Sequence, residues 1–195
     1  MLDGSSLRAL VVGGGAVATR KTRALLAAGS TVRLVALEID PALQQAEGPA
    51  LNIARRTYVE SDIGDALLVI AATSSREVNA RVCRDARSHG RLVNVADAPA
   101  DGNCISPATH RAGDVVIAVS AGGVPSVAAR IRDCIARRYA DPYAEAVAQL
   151  GALRSRLLGA GDRDGWRRVA DAVIDQDFCE TVERGELETR MAAWR

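Results

Sequence analysis

Two short stretches carry residue types and spacings suited to chemistry. Gly13-Gly14-Gly15, followed by Ala16, Val17 and Ala18, makes a G-x-G-x-x-A pattern directly after the apolar run Ala9-Leu10-Val11-Val12. In such a turn Gly13 supplies the tight bend and Gly15 lets the main chain approach a pyrophosphate. Ala18 takes the third small position, where helix and strand pack closely. The free N–H groups and dipole of the following helix favour phosphate charge. A tight strand-to-helix turn without any ligand is the plain alternative. The second stretch is Asn94-Val95-Ala96-Asp97-Ala98-Pro99. Asp97 is either a carboxylate able to take a proton or hold a hard cation, or the Asp of a turn that ends a strand.

The elements that must position these residues alternate. Arg8–Val12 reads as a strand and Ala16 to about Ala28 as a helix stopped by Gly29. Thr31–Ala36 is a second strand, Pro41 to about Glu47 a short helix, and Leu51–Arg55 a third strand. Ala66–Ala71 is continuous, apolar and short, as a strand buried on both faces must be. A helix from Arg76 to His89 follows, capped by Ser74 or Ser75, and Leu92–Val95 is the next strand. This order predicts a parallel sheet with right-handed crossovers, with ligands beyond the carboxyl ends of the strands. Gly13–Gly15, Leu37-Glu38, Thr73 and Asn94–Asp97 all fall at such ends. The acid expected to hold a ribose is displaced: Ala36-Leu37 occupies its place and Glu38 comes slightly late. No arginine follows the second strand directly to receive a 2′-phosphate, which favours NAD over NADP.

Beyond residue 104 the pattern changes. Ile105–His110 and Val115–Ser120 are strand-like around the turn Arg111–Asp114. The small-residue loop Ser120-Ala121-Gly122-Gly123-Val124-Pro125-Ser126 leads into a helix capped by Ser126 and ending near Tyr139. From Asp141 onward only helical periodicity remains, with breaks expected at Gly151, Gly159–Gly165 and Gly185.

Composition narrows the function classes. A net charge of +1 gives no basis for broad nucleic-acid or acidic-membrane binding, and 3% aromatics leave few stacking platforms for single strands. No apolar run approaches the roughly 20 residues that span a bilayer. The N-terminus lacks the basic and apolar regions of a signal peptide, so a cytoplasmic protein is expected. Cys83, Cys104, Cys134 and Cys179 form no C-x-x-C pair and are expected as free thiols. His89 and His110 look peripheral.

The ordered set GGGAVATRK, ALLVIAATSS, LVNVADAP and VVIAVSAGGVPSVAARIR, over roughly residues 7 to 140, resembles the precorrin-2 dehydrogenase module of siroheme synthesis. That family occurs alone or as the N-terminal part of siroheme synthase. The resemblance implies NAD-dependent oxidation of precorrin-2 to sirohydrochlorin, with ferrous iron (Fe2+) insertion giving siroheme in many members. It also implies a Rossmann-type α/β domain (residues 1–112), a small dimerisation segment carrying a substrate loop (113–142) and an all-helical tail (143–195), assembled as a homodimer. By similarity Gly13, Gly14, Gly15, Ala16, Val17, Leu37 and Glu38 contact NAD, and Thr73, Asn94 and Val95 border its nicotinamide end. Asp97 falls on the aspartate used in both activities. It would take the proton released as hydride leaves, or the pyrrole protons as a metal enters, or hold that metal. Ser120, Gly122, Gly123 and Arg130, with Arg132 near, would hold the polycarboxylate tetrapyrrole at a helix N-terminus. Ala121 and Pro125-Ser126 depart from the family loop, which leaves Ser120 as its serine hydroxyl. A methyltransferase half is lacking, so the expectation is that another protein makes precorrin-2. Rival readings are a chelatase that has lost NAD use and a Rossmann nucleotide sensor without chemistry. The loop and tail weigh against the sensor.

Overall fold

Strand β1 (Arg8–Val12) is buried at every position after Arg8, because both faces of the sheet it belongs to are covered. The computed structural model describes residues 4–194. After β1 come α1 (Ala16–Ala27), β2 (Thr31–Ala36), α2 (Pro41–Gln44), β3 (Leu51–Arg55), β4 (Leu68–Ala71), α3 (Arg76–Ser88) and β5 (Leu92–Val95). The strands form one parallel sheet in the order β3-β2-β1-β4-β5. Successive residues of a strand face opposite sides. Leu10, Val12, Val69 and Val93 therefore join Val82 and Ala86 of α3 in one core layer. Val11, Leu34 and Ile70 join Ala18 of α1 and Leu43 of α2 in the other. Ser75 caps α3, accepting from the Val78 amide at 3.3 Å, and the Asp40 side chain caps α2, accepting from the Ala42 amide at 2.9 Å.

The register aligns Val12 with Val35 and Ala71, Ala36 with Arg55, and Ala71 with Val95. The strands thus end at one edge. The chain leaves β1 toward β2 on one side, while β4 flanks it on the other, so β1 sits where the winding reverses. That reversal opens a crevice for ligands.

The chain divides into two compact units, 4–106 and 107–194 among the described residues. The boundary lies before the expected 112/113 because β6 (Ala108–Ala112) pairs antiparallel with β7 (Val115–Val119). Only Gly113 and Asp114 form the turn, so the hairpin is tighter and starts later than Ile105. Helix α4 (Pro125–Arg138) starts at Pro125, whose fixed φ suits a first helical position, and Ser126 is inside the helix and does not cap it. Then come α5 (Asp141–Gly159), α6 (Arg163–Val173), α7 (Phe178–Glu183) and α8 (Leu187–Met191). Helix α5 runs unbroken through Gly151. A glycine there costs about 1 kcal/mol, and the buried neighbours Leu150 and Leu153 hold the helix to Val169, Val173 and Met191. No helix among the described residues is long and apolar enough to cross a membrane.

Candidate functional site

The glycine turn is shaped by three different constraints. Gly13 has φ +125°, a conformation L side chains rarely adopt, and a Cβ there would collide with the Ala72 carbonyl. A Cβ on Gly14 would strike the Glu38 carbonyl, because the loop after β2 lies against the turn; the Asp40 amide donates to Gly14 O at 2.9 Å. Gly15 differs: its φ is ordinary and no protein atom lies within 4 Å of a Cβ built there. The space over Gly15 is left open at the N-terminus of α1, which has no side-chain cap and no acid in its first turn. Ala18 is fully buried against the sheet. This is a cradle that fits a diphosphate on main-chain N–H groups.

A cavity of about 850 Å³ extends from that turn. Its walls include Gly13–Gly15, Leu37, Glu38, Thr73 and Val78. Leu37 and Glu38 are exposed, while Ile39 behind them is buried. Ala16, Val17, Asn94, Val95 and Asp97 are not among the cavity's walls. Ala16 and Val17 lie exposed in the first turn of α1. Val95 packs in the core under α3, and the buried Asn94 amide donates to Cys104 O at 3.0 Å.

Arg56, Tyr58 and Arg81 also line the cavity, a placement that no local sequence signal marks. Arg56 and Tyr58 follow β3, whose neighbour in the sheet is β2; strand order is what brings them there. Arg56 is bound by Asp62 through two hydrogen bonds, 2.8 and 2.5 Å. Burial would raise the Asp62 carboxyl, but the Arg56 hydrogen bonds, the Val59 amide and Arg33 outweigh it and hold it below its ordinary range. Tyr58 donates to Asp85 at 3.0 Å beneath Arg81, and burial together with that carboxylate pushes the phenol upward.

Behind the cavity wall a polar chain leads away from Thr73. The buried Asn79 of α3 accepts from the Thr73 amide at 3.0 Å and from its hydroxyl at 2.8 Å. Its nitrogen donates to Thr73 O at 3.1 Å and to Asp97 Oδ1 at 2.9 Å. Asp97 Oδ2 lies 3.5 Å from Arg76, which is also paired with Asp101 at 2.9 Å. Asp97 thus stands at the end of β5, exposed, joined to the cavity wall through one side chain.

The second unit carries the loop Ser120–Val124. Ser120, Gly122 and Gly123 are exposed, and both glycines have positive φ. Arg130 is exposed one turn and more into α4, whereas Arg132 is paired with Asp133 at 2.6 Å. His89 meets Glu60 at 3.0 Å and His110 meets Tyr139 O at 2.6 Å, both outside the cavity walls. Among the described residues no three His, Cys, Asp or Glu side chains gather as a metal site.

Residues 1–108 match a family model described as "Putative NAD(P)-binding". A siroheme synthase of Pseudomonas fluorescens is 43% identical over 188 residues, covering 95% of this chain and 39% of that protein. One of Chromobacterium violaceum is 37% identical over 198 residues, covering 95% of this chain and 42% of that protein. The chain therefore spans about two fifths of these relatives. A solved structure of SirC, precorrin-2 dehydrogenase, superposes with a TM-score of 0.80 at 25% identity, covering 98% of both chains. The chain belongs to this NAD(P)-binding family and, within it, to the group formed by precorrin-2 dehydrogenases and siroheme synthases.

Proposed function

With that membership as premise, we propose that the protein oxidises precorrin-2 to sirohydrochlorin with NAD. The observation that carries this is the open cradle over Gly15 beside a cavity whose wall is tied to Asp97. In this reading Gly13 and Gly14 shape the turn, and the amides of Gly15, Ala16 and Val17 hold the pyrophosphate. Leu37 and Glu38 border the adenosine ribose. Thr73 borders the nicotinamide, and the buried Asn94 and Val95 of β5 carry the chain to Asp97.

NAD, when bound, supplies the hydride acceptor. Precorrin-2 would give up a hydride to that acceptor, and the Asp97 carboxylate takes the accompanying proton and passes it to solvent. Products are sirohydrochlorin, NADH and H+. Asp97 suits the proton's part because it is exposed and held by one hydrogen bond, from Asn79 to Oδ1. Ser120, Gly122, Gly123 and Arg130 hold carboxylates of the substrate, Arg130 being a cation without an ion-pair partner among the described residues.

The same carboxylate suits a second step, in which Fe2+ enters sirohydrochlorin as two pyrrole protons leave. Asp97 would receive a proton or hold the entering ion. The reading also includes a cytoplasmic homodimer without nucleic-acid or membrane partners. Purified protein is mixed with precorrin-2 and NAD, and absorbance is followed for sirohydrochlorin and NADH. Stoichiometric NADH supports the reading. Turnover only of sirohydrochlorin with Fe2+ would leave a chelatase, and no turnover of either would leave a nucleotide-binding module.

A further inference from the structure

Asn79 is 1% exposed, and its amide is bonded at both ends: Oδ1 accepts from the Thr73 N–H, and Nδ2 donates to Thr73 O and Asp97 Oδ1. Its orientation is forced by the main chain. The Thr73 N–H can only donate, so the atom facing it must be Oδ1. Nδ2 then faces the Thr73 carbonyl and the Asp97 carboxylate, which can only accept when that group is ionised. A flipped amide would set donors against donors and acceptors against acceptors. Asp97 Oδ1 is therefore fixed by a bond that cannot turn, while Oδ2, facing Arg76 at 3.5 Å, is the oxygen without a hydrogen bond.

We propose that Asn79 is a positioning residue that locks Asp97 to the Thr73 wall of the cavity and leaves Asp97 Oδ2 to take the substrate's proton. The proposal rests on the reading that Asp97 is the proton acceptor. An exposed aspartate without this bond would sample several rotamers, and misplacement of a reacting group by about 1 Å costs on the order of a hundredfold in rate.

Asn79→Asp keeps the acceptor that Thr73 needs and replaces the donor facing Asp97 with a second carboxylate. The charged groups around Asp97 are then Arg76 from α3, the new acid, and Asp101, which shares Arg76. Two neighbouring carboxylates titrate as a pair, and the first proton is held more tightly. The acid limb of the kcat profile should move up by about one pH unit or more, with NAD affinity within about threefold. That shift reports the new charge beside Asp97, and the positioning role itself is read from the split between kcat and KM in Asn79→Ala. Asn79→Ala should lower kcat at least about tenfold with KM for precorrin-2 within about threefold. An unshifted limb in a folded Asn79→Asp protein, or near-normal kcat in Asn79→Ala, overturns the proposal. So does failure of both variants to fold, which assigns Asn79 to structure alone. Asp97→Asn is measured beside them: if it remains active, the reading of Asp97 falls, and the fault is then not with Asn79.

Discussion

Asp62, 2% exposed, takes both terminal nitrogens of the Arg56 guanidinium, at 2.8 and 2.5 Å. Arg56 lines the cavity beside the end of β2, where a 2′-phosphate would lie in a dinucleotide fold. Its charge is already matched, so it offers little to an added phosphate. The protein should prefer NAD to NADP. Asp62→Asn leaves Arg56 unmatched and should raise the ratio of kcat/KM for NADP over NAD by about tenfold, the worth of one charge-assisted bond. Initial-rate kinetics with both cofactors check this, and an unchanged ratio would remove Arg56 from the ribose end.

The same carboxylate sets an acid sensitivity. The folded Asp62 carboxyl titrates below its unfolded value: burial opposes this, but Arg56, the Val59 amide and Arg33 prevail. A lowered folded pKa contributes stability that is fully present above the unfolded value of about 3.9 and fades as pH falls through the folded one. This contribution to the thermal midpoint should therefore be constant from pH 7 to about pH 5 and decline below about pH 4. Asp62→Asn should lower the midpoint at neutral pH by roughly 6 °C, for about 2 kcal/mol lost, and should flatten the acid decline. Melting curves across the pH range read both effects, and identical acid slopes in the two proteins would contradict the assignment.

The glycines of the turn should separate by substitution. Gly15→Ala meets open space at an ordinary φ, so the fold should hold within about 0.5 kcal/mol. The new methyl would occupy the diphosphate's approach, and NAD affinity should fall at least about tenfold. Gly13→Ala combines φ +125° with a collision against Ala72 and should destabilise the fold by more than about 2 kcal/mol. Calorimetric titration and melting of each variant decide. NAD binding unaffected in Gly15→Ala would mean that no phosphate sits over the turn.

What was legible in the sequence was local. Strands covered on both faces read as unbroken apolar runs, which is why Leu68–Ala71 and Leu92–Val95 stand out. Ser75 and the glycine turn are short-range signals whose geometry depends on a few neighbouring residues. Arg56 and Arg81 were not legible, because their place depends on strand order, which no local pattern encodes. Asn79 reads as an ordinary polar helix residue. Only the meeting of the β4 and β5 ends around α3 gives its amide four partners. Gly151 is a helix stop by local preference alone, and packing of Leu150 and Leu153 outweighs that weak preference.

Asp97→Ala should abolish turnover while leaving NAD affinity within a few-fold. The carboxylate is not among the walls of the cavity and joins it only through Asn79. Losing a general base removes on the order of a hundred- to ten-thousandfold in rate, whereas a binding contact would change KM instead. Near-normal kcat in Asp97→Ala would exclude Asp97 from proton transfer.

The last prediction concerns the second unit. Val124, Val127 and Ile131 are 49%, 46% and 43% exposed, and their spacing of three and four residues sets them along one side of α4. Ala128, which the same spacing sets next to Val124 and Ile131, is small and buried, and α4 packs on β6 and β7. Val124, Val127 and Ile131 thus stay largely in water beside that contact. A monomer gains nothing from holding these side chains in water, at about 25 cal/mol per Å² of apolar surface. A self-complementary contact between two copies removes that cost with a single patch. Light scattering at micromolar concentration should therefore give a dimer of the 195-residue chain. The double substitution Val127→Glu with Ile131→Glu should give a folded monomer, because both positions face solvent within the chain and only the contact between copies is charged against itself. A monomeric wild-type protein would refute the dimer, and a dimer that survives both glutamates would move the interface away from α4.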